Sequence, residues 1–464
     1  MNKKGFTLIE IIAIIILLSV IALITYPIIN NLITDSKDEL YDKQISELVR
    51  LSNTWVTKNI TKLKMIDGYT YNLSFDELYE QGFVSDEQVK NPKTGQNLPG
   101  CMKVTFNSTN NGYDVSYDER CTSSGEVALY EDNSGANKPV LFNNMKPIKY
   151  ENNKWIVANL YSKWYDYDAK EWANAVVLNS GVTKNVGDEV TEEEISLWYV
   201  WVPRYKYKKF SNTPKEQEIS VTFENGTSTT GTGENVTHPA FTFGNTELTG
   251  FWVGKFEVSG TTSAITIKPN VTSLRSQTLS SFFTAIQNVK TIYGINNADS
   301  HMLKNMEWGA VAYLKQSKYG LGTTDIAVNK NSNFYTGGGQ SDAYKTNVAQ
   351  STTGNIYGVY DMSGGAWEYV MGNYNDTISK AGFSSMPAAK YYDKYTSSTG
   401  KTGDAITETS GWYGDHAEFP DSTDSWFVRG GSYNFGTNAG VFYFSITNGV
   451  SFGFSSARAV LSSQ

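Results

Sequence analysis

The chain has 464 residues and a formal net charge of −8; it is too long for one ordinary domain, so two or three are expected. No basic patch stands out against that acidic balance, which argues against nucleic acid as a partner. Aromatic residues make up 14 % of the chain, 30 of them tyrosines, and glycines number 40. Such a mixture suits a loop-rich extracellular fold better than a cytoplasmic enzyme.

The first element is apolar. From Phe6 to Ile29 the only charge is Glu10, and at about 1.5 Å per residue the run reaches roughly 36 Å, enough to cross a bilayer. Lys3 and Lys4 precede it and the stretch beyond it is acid-rich, so the bulk of the chain belongs outside. A Sec-type signal is cleaved after its apolar region, whereas here the only fitting punctuation lies before it, at Gly5 and Phe6. A lone carboxylate in such a segment costs a few kcal/mol and needs a reason. The hexapeptide Gly5-Phe-Thr-Leu-Ile-Glu10, with Pro27 further along, resembles the class III leader of type IV pilins. That resemblance implies a leader at 1–5, cut by a prepilin peptidase between Gly5 and Phe6, and methylation of the new N-terminus. It also implies a retained transmembrane and filament helix at 6–29. Glu10 would pair with the α-ammonium of a neighbouring pilin subunit, first in the inner membrane and then in a surface filament. An uncleaved signal anchor would explain the span but not Glu10.

The helix continues to about residue 60, because Tyr41, Ile45, Leu48, Leu51 and Trp55 recur at spacings of three and four among charged residues. The stripe buries itself on residues 61–121. Within them the alternating Met102–Phe106 and Tyr113–Tyr117 read as a β-hairpin round Asn110-Asn111-Gly112. Cys101 and Cys121 are the only cysteines. In an exported chain they read as a disulfide worth about 3 kcal/mol, with two free thiols as the alternative. A helix with a small, disulfide-closed sheet resembles a compact pilin head, giving a module at 6–121. Thr122-Ser-Ser-Gly and Asp132-Asn-Ser-Gly suggest a linker over 122–138.

Residues 139–200 hold short aromatic segments expected as strands: Trp155–Ala158, Trp164–Tyr167 and Trp172–Val177. A Thr/Gly-rich insertion follows at 211–237. From about residue 196 onward, landmarks recur in order. They are Trp198–Pro203, Phe251–Val258, Met306-Glu307-Trp308, Asn355–Glu368, Arg429-Gly-Gly-Ser432, and Gly453-Phe454 with Ala457-Arg458. They resemble the formylglycine-generating-enzyme (sulfatase-modifying factor) family, a variant of the C-type-lectin fold. The expected fold class is therefore α+β: a long pilin helix with a small β-sheet head, then a C-type-lectin-like mixed domain over 139–464.

The enzyme of that family uses a cysteine pair near its C-terminus to hold copper. This chain has no cysteine after Cys121, so the resemblance implies the fold without the activity and the chain reads as a non-enzyme. His238, His301 and His416 show no motif linking them to a serine and a carboxylate, and each reads as a packing or surface histidine. No cofactor is expected. Asp166/Asp168 and Glu192–Glu194 read as solvated acidic faces, and Glu368 is the candidate ligand should structural calcium be present.

Between Arg429 and Arg458 no side chain is charged, and aromatics are set among Gly, Ser, Asn and Thr without strict alternation, Gly436, Gly440 and Gly449 breaking the run. Two readings compete. The rings fill a buried sheet, which fits Phe452 and Phe454, or they form an exposed recognition surface at low entropic cost, which fits 433–447. The segment also resembles the variable region of C-type-lectin proteins diversified by retroelements. That resemblance implies ligand contacts at Tyr433, Phe435, Thr437, Asn438, Val441, Tyr443, Phe444, Ser445 and Thr447. The functional expectation is a surface-displayed minor pilin or adhesin binding a protein or glycan ligand. The alternatives are a pilin-anchored enzyme and a structural pseudopilin of a secretion or DNA-uptake system.

Overall fold

The structure, a computed structural model, describes residues 8–122 and 124–464, with the backbone alone at 27–32. The chain divides into two compact units, 1–128 and 129–464. The expected processing residues, Gly5 and Phe6, lie outside the described residues.

Helix α1 runs from Leu8 to Asn59. Among the described residues it holds the one stretch, Leu8–Tyr26, long and apolar enough to cross a membrane. Glu10 sits in its first turn. The second half is amphipathic as expected, with Leu48, Ser52 and Trp55 buried at spacings of four and three. That face closes on a sheet ordered Gly112–Asp118, Cys101–Asn107, Thr70–Leu73, Gly125–Glu126. Trp55 stacks on Tyr71 at 5.4 Å between ring centres. Short helix α2 (Phe75–Glu80) begins where the Ser74 hydroxyl accepts the Glu77 N–H at 3.1 Å. The hairpin forms over 101–118, and Cys101 is bonded to Cys121.

The division between the two units falls within the stretch expected as a linker, 122–138, and parts of that stretch are anchored in each unit. Gly125–Glu126 adds a strand to the first sheet. Beyond the division at 128/129, Asp132 is buried and its carboxylate accepts the Tyr167 N–H at 2.7 Å. Asn137 is buried too, bonded to the backbone of Gly226 and Thr249. The polar, glycine-rich composition serves side chains that cap loops, not a solvated tether.

The second unit is built on a seven-stranded antiparallel sheet. Its order is Ala298–Met302, Ala459–Ser463, Gly250–Gly254, Ile195–Pro203, Asn174–Leu178, Met145–Glu151, Lys154–Val157. All nine positions of Ile195–Pro203 are buried, so this strand is covered on both faces, and the run is continuously apolar for that reason. Helix α3 (Leu279–Ile292) packs beside Ala298–Met302, and α4 (Asn305–Lys315) is wholly buried. The expected strand at Trp164–Tyr167 is instead a loop that sinks Tyr165 and Tyr167 into the core. The insertion at 211–237 supplies Val221–Phe223 and Asn235–Thr237, which flank Tyr205–Lys208 in a small sheet.

A second, five-stranded sheet holds the C-terminal landmarks. Trp367–Tyr374 pairs with Trp426–Arg429, which pairs in turn with Phe444–Thr447. Asp393–Tyr395 and Ser455–Ala457 run parallel to the other edge of Trp367–Tyr374. Glu368 and Arg458, both fully buried, form a bidentate pair. Arg458 also donates to the carbonyls of Gly254 and Tyr360, so it ties the two sheets together. Because Arg458 takes both Glu368 oxygens, no carboxylate edge is left open there for a calcium ion.

Candidate functional site

The site begins at the end of strand Trp426–Arg429. Arg429 turns inward, donating to Asn305 Oδ1 and to the carbonyls of Asp404 and Ala405. Gly430 and Gly431 then reverse the chain with φ of +81° and +71°, a conformation that costs a Cβ-bearing residue energy. A Cβ on Gly431 would also lie 2.7 Å from that of Ala439. The reversal throws out a short loop, 432–438, pinned by the Ser432 hydroxyl on Asn434 Oδ1 at 2.6 Å. The chain returns at 440–442, where Asp415 accepts the Phe442 N–H at 2.9 Å. The Val441 carbonyl there accepts from Trp308 Nε1 at 2.7 Å.

This path divides the sequence-expected contact residues. Thr437 and Asn438 are exposed, and Tyr433, Phe435 and Thr447 are half-buried. Val441, Tyr443, Phe444 and Ser445 are buried, against expectation. The reason is the strand Phe444–Thr447, whose hydrogen bonding to Trp426–Arg429 carries its side chains into the sheet. Gly436, Gly440 and Gly449, which seemed to break the strand, lie in the turns that flank it. The converse correction applies to Phe452, expected in the core and found 41 % exposed. Phe454 is half-buried.

Together these residues form a chain of rings. Phe435 lies edge-on to Trp367 at 5.2 Å, Trp367 stacks on Phe452 at 5.6 Å, and Phe452 neighbours Phe454 at 5.5 Å. Phe454 stacks on Tyr433 at 6.2 Å. Each of these five rings is at least partly open to solvent. Two of them, Trp367 and Phe452, border a cavity of about 230 Å³ that Tyr369, Tyr443, the strand residues Ser445–Thr447 and Asp424 also line. Burial pushes the Tyr443 hydroxyl up to about 12, so it stays neutral at any physiological pH. Trp367, Phe452 and Asp424 were missed as site residues in the sequence. Only the charge-free run around Phe452 pointed to this surface.

The histidines fall elsewhere or at the edge. His238 is buried, and burial depresses it to about 3. His301 is buried between Asp299 at 3.1 Å and Glu307 at 2.9 Å, a structural array. His416 is exposed beside the site, 5.6 Å from the Tyr443 ring. Among the described residues no cluster of His, Cys, Asp and Glu is arranged to hold a metal ion.

Residues 1–26 match the prokaryotic N-terminal methylation motif. The motif implies processing by a prepilin peptidase and assembly with pilin subunits, and with helix α1 it gives this chain a pilin-type N-terminus. No curated protein matches the chain. Among solved structures it is similar to Major Tropism Determinant I1 Variant, at 12 % identity over 78 % of this chain and 79 % of that one, with a TM-score of 0.31. It is also similar to Treponema denticola variable protein 1, at 11 % identity over 58 % of this chain and 97 % of that one, with a TM-score of 0.29. Likenesses at these scores carry no weight in the reasoning below.

Proposed function

We propose that this chain is a minor pilin whose second unit is a C-type-lectin-like ligand-binding module displayed on the cell surface, with no catalytic role. The carrying observation is the run of five part-exposed rings from Phe435 to Tyr433, two of which, Trp367 and Phe452, border a cavity lined also by Tyr369 and Tyr443. Soluble domains seldom leave such a contiguous aromatic patch open unless something binds it. Large rings held by their neighbours lose little entropy on binding and make frequent hot spots. The pilin-type N-terminus supports an anchored, outward-facing position. The ordered landmarks from Trp198 to Arg458 support the C-type-lectin-like reading. The only cysteines are bonded to each other in the first unit, so a thiolate copper site has no place in the second.

The test compares full-length wild type with a Phe435→Ser/Phe452→Ser double variant in neutral detergent, each labelled and applied to an array of cell-surface proteins and glycans. The expected outcome is a wild-type binder whose signal falls at least about tenfold in the variant, with little change in melting temperature. A binder retained by the double variant would remove this surface as the site.

A further inference from the structure

The cavity bordered by Trp367 and Phe452 has a chemistry of its own. Its walls are aromatic faces, Trp367, Tyr443 and Phe452 among them, with Ile446 adding aliphatic surface. The one charged side chain lining it is Asp424, a half-buried carboxylate with no ion-pair or hydrogen-bond partner among the described residues. Next to the lining residues, Glu418 accepts the Ser445 hydroxyl at 3.0 Å, and Lys380 donates its backbone N–H to the Asn448 carbonyl. His416 stands at the rim, 3.4 Å from Glu418. No lysine or arginine lines the cavity. Ring faces carry negative partial charge, so walls and carboxylate favour the same kind of guest, and they disfavour an anion. The volume, about 230 Å³, is below that of sites for drug-sized ligands, and suits one side chain.

We propose that this cavity receives a lysine or arginine side chain of a protein partner, its aliphatic stem along Ile446 and Trp367 and its charged head at Asp424. The inference rests on the ring surface being the binding face, and it names the anchor that face would seek. Charge complementarity selects the guest: an unpaired carboxylate in an aromatic cavity gains both an ion pair and cation–π contact from a cation, but only a hydrogen bond from a neutral sugar.

Small probes test it on the full-length chain in neutral detergent, followed by tryptophan fluorescence, with Trp367→Phe identifying the share owed to that wall. n-Butylammonium and methylguanidinium should give a saturable change, while butanol, butyrate and methyl glucoside should not. Asp424→Asn should weaken the cation response about tenfold or more. Thr447→Lys, which tethers an amine beside the cavity, should abolish the response by filling it. Equal responses to charged and neutral probes, a response to methyl glucoside alone, or no effect of Asp424→Asn in a variant that melts like wild type would each overturn the proposal. These outcomes are separate from the fate of the ring surface. If Phe435→Ser/Phe452→Ser still loses its binder while the cations do nothing, only the cationic anchor falls.

Discussion

Phe444 and Phe452 sit close in sequence within one charge-free segment, yet one is 4 % and the other 41 % exposed. Phe444→Ala should therefore destabilise the chain by about 3–5 kcal/mol, read as a large drop in melting temperature. Phe452→Ser should stay within about 0.5 kcal/mol. Asp415 gives a second prediction at this scale. It is buried against the Phe442 N–H, and burial pushes its carboxyl up to about 8. An unfolded aspartate titrates near about 3.9. Between those values the folded chain keeps a proton that the unfolded chain has lost, so stability falls as pH rises through that window. Asp404, raised to about 7 by burial, acts in the same direction. Asp415→Asn keeps the acceptor for Phe442 without the ionisation. Its melting temperature should gain on wild type progressively from about pH 4 to about pH 8 and hold a constant lead above that. A lead independent of pH would show that Asp415 does not titrate in this window. None of this was legible in the sequence, because aromatic density without strict alternation does not say which ring faces inward.

At the scale of elements, long and periodic segments were legible and loops were not. Helix α1 and the hairpin over 101–118 follow from spacing and hydropathy alone, since each repeats one rule over many residues, while Trp198–Pro203 was marked only by the family resemblance. Trp164–Tyr167 was misjudged because a short aromatic stretch owes its form to tertiary partners: Trp201 O accepts the Tyr167 hydroxyl. Strand Phe444–Thr447 was missed for a related reason, as the glycines in its flanking turns masked its period. The turn that makes that strand possible depends on Gly431. With φ at +71° and Ala439 Cβ 2.7 Å from where a side chain would begin, Gly431→Ala adds strain and a clash together. It should cost more than about 1 kcal/mol. Gly436 also has positive φ but has open space around it, so Gly436→Ala should cost less. Thermal melts of the two variants compare them directly, and equal losses would mean that contact with Ala439 plays no part.

At the scale of the whole molecule, the pilin-type N-terminus sets what assembly requires. Among the described residues the apolar stretch Leu8–Tyr26 of α1 is exposed throughout, and a surface of that kind calls for lipid or neighbouring subunits to cover it. Glu10 lies within that stretch, where an ionised carboxylate is costly in a bilayer. The methylation motif matched over residues 1–26 implies processing by a prepilin peptidase; a cut between Gly5 and Phe6 would create a charged amine that the Glu10 of a neighbouring subunit can meet. Mass spectrometry of the mature protein should thus find an N-terminus at Phe6, one methyl group heavier than the bare residue. Glu10→Ala should still be cut and still reach the membrane, since removing the charge makes the segment more apolar. It should fail to enter filaments, because an alanine offers the incoming amine nothing to neutralise it. Glu10→Asp keeps the charge on a shorter arm and should assemble in part. Filament yields from the three versions, measured beside membrane-fraction blots, isolate the pairing step. Normal assembly of Glu10→Ala would mean that packing of the apolar helices alone drives entry and that the amine is neutralised in some other way.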